Sequence, residues 1–277
     1  MNTGIFRLGS GAAAVAMLAV LGMAAPTAAH AGVCNGTALP DFGLITGPGP
    51  LQGVLDDHTT GPAGDSSVNV ATDCLPGGAD NLWSVAGSGT STSTIMVEMA
   101  SFAGTNSFGI WDAADHTKTV QLFDGAASSG GSSSVSIQSD GSVLVNSAPT
   151  GIVFAGNTFG YYLDATIGNA SQGNAGGFFY SDPTLNADQM DHMYAYQGKG
   201  DTIQIAGFSP GTWANEYVLA WEDLRGPCNT GADCDYTDFV VMVASVTPVP
   251  EPASLAIVGI GLLGLGAVNR RRMRRTR

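Results

Sequence analysis

The chain is poor in basic residues. It has 10 Lys and Arg in 277 residues, and six of them (Arg270, Arg271, Arg272, Arg274, Arg275 and Arg277) crowd the last eight positions. Between residues 32 and 247 only Lys118, Lys199 and Arg225 stand against 22 acids, a formal charge of −19. Such a surface repels phosphate backbones and argues against nucleic acid as a partner. It attracts cations and basic surfaces instead. Charge of either sign is scarce, at 12% of residues against the usual quarter. No twelve-residue stretch carries apolar residues at helical spacing. With 39 glycines, each costing a helix interior about 1 kcal/mol, a mainly helical fold is excluded.

Catalytic signatures are also few. No His-Glu-x-x-His is present. No Cys-x-x-Cys occurs and the histidines are scattered, which argues against a zinc site. His58 follows two aspartates and His116 follows one, but acids are common throughout this chain. A glycosidase needs only two carboxylates, so composition alone does not exclude one. Nothing in the sequence identifies a reaction, and the expectation is a non-enzymatic protein.

The two ends carry addresses. Residues 1–31 have Arg7 near the start, an apolar run over 12–25, and Ala29-His30-Ala31 around a cleavage point before Gly32. That order is a secretory signal peptide. At the other end Pro250-Glu251-Pro252 precedes residues 253–269, which lack any charge. As a helix, 253–269 would span about 25 Å, the short limit for a bilayer. The arginines from 270 onward would then stay cytoplasmic, leaving residues 32–247 on the far side of the membrane. The four cysteines, Cys34, Cys74, Cys228 and Cys234, all lie in that part, and an oxidising compartment favours bridges. Cys228 and Cys234 are near neighbours and pair readily, leaving Cys34 with Cys74; other pairings remain open.

The middle reads as all-β, a β-sandwich or jelly roll. Strands are expected over 81–86, 94–102, 107–111, 119–123, 133–138, 142–146, 151–154, 159–166, 177–180, 192–196, 202–205, 216–221 and 239–246. Asp140-Gly141 between the fifth and sixth of these predicts a tight hairpin. The low-complexity run 125–134 reads as a hairpin loop within one domain spanning 32–247, and the Gly- and Pro-rich segment 40–64 reads as an extended arm. Thr90 to Thr94 (TSTST) begins no repeat, so no ice-binding face is indicated.

The densest acidic cluster joins Glu222 and Asp223 with Asp233, Asp235 and Asp238, just before the apolar run at 239–243. Clustered carboxylates repel unless protonated, solvated or bound to a cation. Hard cations such as calcium take six to eight oxygen ligands. The acids read as solvated turn residues that cap a hairpin or as ligands of calcium, the one cofactor that the cluster suggests. If the domain bound carbohydrate in an exopolysaccharide, exposed Trp or Tyr would stack on the sugar rings, with Trp83, Trp111 and Trp213 as candidates.

Two resemblances add to this reading. Pro250-Glu251-Pro252, the apolar stretch 253–269 and Arg270-Arg271-Arg272 together resemble a PEP-CTERM sorting signal, a tail also labelled an ice-binding-protein C-terminal domain. The resemblance implies an exported surface or matrix protein, anchored in the membrane and cut near the tripeptide by an exosortase-like enzyme. Separately, Trp221-Glu222-Asp223-Leu224 with Asp233-x-Asp235-Tyr236-x-Asp238 resembles the closing signature of a secreted β-domain family of unknown function. Phe178-Phe179-Tyr180-Ser181, Leu185-Asn186, Asp191-His192 and the run 158–163 resemble its middle and opening. That family implies a β-sandwich with a calcium or carbohydrate association over residues 154–246. Cys228 and Cys234 inside the acidic loop depart from its pattern.

Overall fold

The computed structural model describes residues 51–76, 78–86, 89–97, 104–167, 176–205, 211–226 and 234–249. The expected signal peptide, Cys34, Cys228, Asp233, Pro250, Glu251, Pro252, the apolar stretch 253–269 and Arg270 to Arg272 lie outside them.

A helix α1 (Leu51–His58) opens the described chain and runs into β1 (Thr59–Thr60). The next strands are β2 (Trp83–Val85), β3 (Thr90–Val97), β4 (Ser107–Asp112), β5 (Asp115–Phe123), β6 (Ser132–Ile137), β7 (Ser142–Val145), β8 (Ala148–Val153) and β9 (Thr158–Asp164). Then come β10 (Phe178–Tyr180), β11 (Met193–Gln197), β12 (Asp201–Ile203), β13 (Gly211–Trp213), β14 (Tyr217–Trp221), β15 (Phe239–Ala244) and β16 (Val246–Pro248). All pairings between these strands are antiparallel, in three sheets. One is ordered β11-β14-β15-β3-β6-β7-β8; the second β16-β2-β9-β4-β5, with β10 beside the far end of β9; the third β1-β12-β13.

The two large sheets form a sandwich, because their inward side chains make one core. Trp83, Phe108, Ile110, Phe159, Tyr161 and Leu163 from one sheet meet Val135, Ala195, Leu219, Trp221, Phe239 and Val241 from the other. In β11, β14 and β15 the residues between these inward ones are buried too: Tyr194 and Tyr196, Val218 and Ala220, Val240 and Met242. Side chains alternate across a strand, so the outer face of those three strands must also be covered. Leu51, Val54 and Leu55 of α1, with Trp213 of the small sheet, cover it. Burial on both faces is why these strands read as continuous apolar runs rather than as alternations.

Several expectations need correction. Residues 51–60 are not an extended arm. Leu51, Val54 and Leu55 sit at i, i+3 and i+4, one face of a helix, and all three are buried. The run 125–134 is not a hairpin loop, because β5 and β6 before and after it belong to different large sheets. Residues 124–131 pass from one large sheet to the other, and 132–134 already belong to β6. The three candidate sugar-stacking tryptophans are core. Trp83, Trp111 and Trp213 are 0%, 3% and 0% exposed. Their indole N–H groups donate to the carbonyls of Asp80, Tyr161 and Glu216. Gly160 lies under Trp111, where a Cβ would come within 2.2 Å of the indole. The Asp140-Gly141 hairpin forms as expected between β6 and β7, with Gly141 at φ +85 and the Ser142 N–H donating to Asp140 Oδ1.

Candidate metal centre

The acids are brought together by strand register. β14 and β15 pair with Trp221 opposite Phe239, so the next residue outward on each strand, Glu222 and Asp238, leaves the sheet at the same end. Asp223 follows Glu222. Oxygens of Glu222, Asp223 and Asp238 lie within 4.8 Å of one another, and the residues are 1%, 1% and 7% exposed. Three full negative charges at that spacing repel by about 3 kcal/mol per pair, taking an effective dielectric of 20. The total rivals the whole stability of a typical domain. All three therefore cannot be ionised together without a compensating charge.

The surrounding hydrogen bonds fix these carboxylates. The Asp223 N–H donates to Asp238 Oδ2 at 2.9 Å and the Leu224 N–H donates to Glu222 Oε1 at 3.0 Å. Burial, then the Glu222 and Asp223 charges, push the Asp238 carboxyl well above the usual range. Asn106, which precedes β4 in the other large sheet, donates through Nδ2 to Asp223 Oδ2 at 2.9 Å. Asn106 is held there by Phe108 two residues on, whose ring stacks on Phe239 at 5.2 Å and meets Trp221 edge-on at 6.0 Å.

Of the five acids expected here, Asp235 binds the adjoining turn through Oδ1, while its charge adds to those that raise the Asp238 carboxyl. It accepts from the Thr237 N–H at 2.9 Å and the Thr237 hydroxyl at 2.8 Å. Cys234 and Tyr236 on either side of it are left-handed, at φ 55 and 54, a conformation that costs roughly 1–2 kcal/mol for a side-chain-bearing residue. Cys74 and Cys234 are each disulfide-bonded.

A second acidic group, with Asp188 and Asp191 half-buried and Asp80 buried, flanks the first. β11 pairs with β14, Met193 opposite Trp221, so His192 lies beside Glu222. The Glu222 N–H donates to the His192 carbonyl at 3.0 Å. The His192 ring has Glu222 O 3.0 Å from Nδ1 and Asp188 Oδ2 3.1 Å from Nε2. Both neighbours are acceptors, so both ring nitrogens donate when the ring is charged. Burial raises the Asp188 carboxyl, but the His192 hydrogen bond and charge, with the N–H groups of Met190 and Gly226, outweigh it and hold the group below the usual range. Next to His192, burial pushes Asp191 up to about 7. Burial, and then repulsion from Asp191, push Asp80 well above the usual range. The Tyr236 hydroxyl donates to the Asp191 carbonyl at 2.7 Å. His58 is tied to its own helix through the Val54 carbonyl, and His116 packs edge-on against Tyr180. Neither joins an acid cluster.

Sequence reasoning missed Asn106, which has no pattern around it. It also passed over the one Gly-x-Ser-x-Gly spelling, at 207–211. That motif signals a nucleophile only between a strand and a helix. Here it joins the antiparallel pair β12 and β13, so the context is wrong.

Two family models match the chain. Residues 154–246 match a domain of unknown function (DUF4114), and residues 248–272 match the PEP-CTERM protein-sorting motif. The sorting motif implies an exported, cell-surface-directed protein handled by an exosortase. No curated protein and no solved structure matches the chain. The DUF4114 match spans 93 of 277 residues. It takes in Glu222, Asp223 and Asp238 and leaves out β2 to β8.

Proposed function

We propose that the chain is a non-enzymatic surface or matrix protein whose sandwich is stabilised by one calcium ion at Glu222, Asp223 and Asp238. The carrying observation is the meeting of three buried carboxylates within 4.8 Å. Calcium–oxygen distances of 2.3–2.6 Å allow two ligands up to about 5 Å apart on one ion, so the cluster fits a single shell. Magnesium holds its waters and favours a tight octahedron, which suits a dry cage of carboxylates less well. The sorting motif supports the rest of the reading. The signal peptide before Gly32 exports the chain, residues 253–269 stop it in the membrane, and the exosortase cuts near Pro250-Glu251-Pro252. A bridge between Cys228 and Cys234 would close the loop that carries Asp233. Non-reducing peptide mapping tests that pairing, and linkage of Cys234 to any other cysteine refutes it. The buried tryptophans leave an exopolysaccharide-binding reading without its stacking residues.

The calcium reading is tested on the full chain by thermal unfolding in chelator, calcium or magnesium at matched ionic strength. Binding to the folded state alone stabilises by about 2.7 kcal/mol at a hundredfold excess over Kd. With Kd near 10⁻⁴ to 10⁻³ M, as for extracellular modules, millimolar calcium gives less than that and raises the Tm by a few degrees. Equal shifts in calcium and magnesium overturn the reading.

A further inference from the structure

We propose that Asn106 supplies a further ligand to this calcium site through its side-chain oxygen, so that the ion ties the two large sheets together. The inference rests on the calcium reading above and deepens it. Asn106 is 1% exposed, and its Oδ1 is buried without a hydrogen-bond partner among the described residues. A buried acceptor left unmade costs about 1–3 kcal/mol. The same carboxamide touches the cluster, since its Nδ2 lies 2.9 Å from Asp223 Oδ2. Carboxamide oxygen and nitrogen are told apart only by their surroundings. Without a cation, the nitrogen is the better neighbour for a carboxylate. With a cation among the three acids, the oxygen is, because side-chain carbonyls of Asn are ordinary calcium ligands.

The consequence is mechanical. Glu222 and Asp223 follow β14 and Asp238 precedes β15, all in the seven-stranded sheet, whereas Asn106 leads into β4 of the opposite sheet. Three ligands from one sheet and one from the other make the ion a cross-link at this end of the sandwich. Phe108, packed against Trp221 and Phe239 directly below, sets the spacing between the sheets and so pre-forms the site. Asn106 also lies outside the span matched by DUF4114, so the site is completed by a part of the chain that the family model does not include.

The experiment uses the full chain in detergent with two variants, Asn106→Leu and Asn106→Asp. Terbium(III) is the probe, sensitised by Trp221 next to Glu222, and calcium is titrated to displace it. Loss of supporting groups at metal sites weakens affinity by 10- to 100-fold, so Asn106→Leu should weaken calcium binding about tenfold or more and shrink the calcium-dependent rise in Tm. Asn106→Asp should tighten calcium binding while lowering the Tm in chelator, since it adds a fourth buried negative charge. A residue with a merely structural role would shift the Tm equally with and without calcium. If wild type gives no calcium-displaceable signal, the calcium reading itself falls, and this inference with it. If wild type binds and both variants bind with its affinity, only the assignment of Asn106 is overturned.

Discussion

At the scale of single residues, the molecule concentrates buried acids where two strands end. Asp191 is the clearest example of the cost. Desolvation pushes its carboxyl up to about 7 in the folded state, against about 3.9 in an unfolded chain. Between those values the folded state holds a proton that the unfolded state has released. Stability therefore falls as pH rises through that window, and levels off above it. Asp191→Asn keeps the acceptor for the Met193 N–H and removes the charge. It should raise stability at pH 8, by on the order of a few kcal/mol, and flatten the slope between pH 5 and pH 8. Urea unfolding at the two pH values checks this; an unchanged slope would contradict it. The sequence exposed Glu222, Asp223 and Asp238 as a cluster because they crowd within 17 positions. It could not expose Asn106, which is 117 residues from Asp223 and meets it only through sheet packing.

At the scale of elements, most strands were legible, the three-residue β2, β10 and β12 among them, but β1 and β13 were not. β4, β6, β7, β9, β14 and β15 announced themselves through β-branched and aromatic runs bounded by Gly, Ser, Asn and Asp. β1 and β13 are two and three residues long, too short for a period of two to register. α1 was hidden by the Gly and Pro around it, and its eight residues give only two turns of pattern. Yet α1 covers the outer face of β11, β14 and β15, so it matters to stability. Leu55 is 0% exposed there. Leu55→Ala should cost about 2–5 kcal/mol, as large-to-small core changes do, with the loss read by denaturant unfolding. A cost under 1 kcal/mol would mean that the helix is an ornament rather than a lid. The bend between sheets at 125–134 was invisible because a loop of small residues carries no mark of which sheet comes next.

At the scale of the whole molecule, sorting and fold are separable. Glu251, between two prolines, is the one acid in the span matched by the sorting motif. Glu251→Ala should leave full-length precursor in the membrane, detected by intact mass; maturation equal to that of wild type would contradict the proposed cut. The sandwich itself, by contrast, is built by strands on both sides of residue 154, where the DUF4114 match begins. β9 and β15 from the matched part pair with β4 and β3 from the part before it, and the candidate metal centre sits at that junction. The central claim is that this junction holds one calcium ion. Its most direct test is a metal count on the purified full chain after dialysis against millimolar calcium with excess magnesium. The account predicts one calcium per chain in wild type and none in Asp238→Asn. No bound calcium in wild type, or the same count in both proteins, would contradict it.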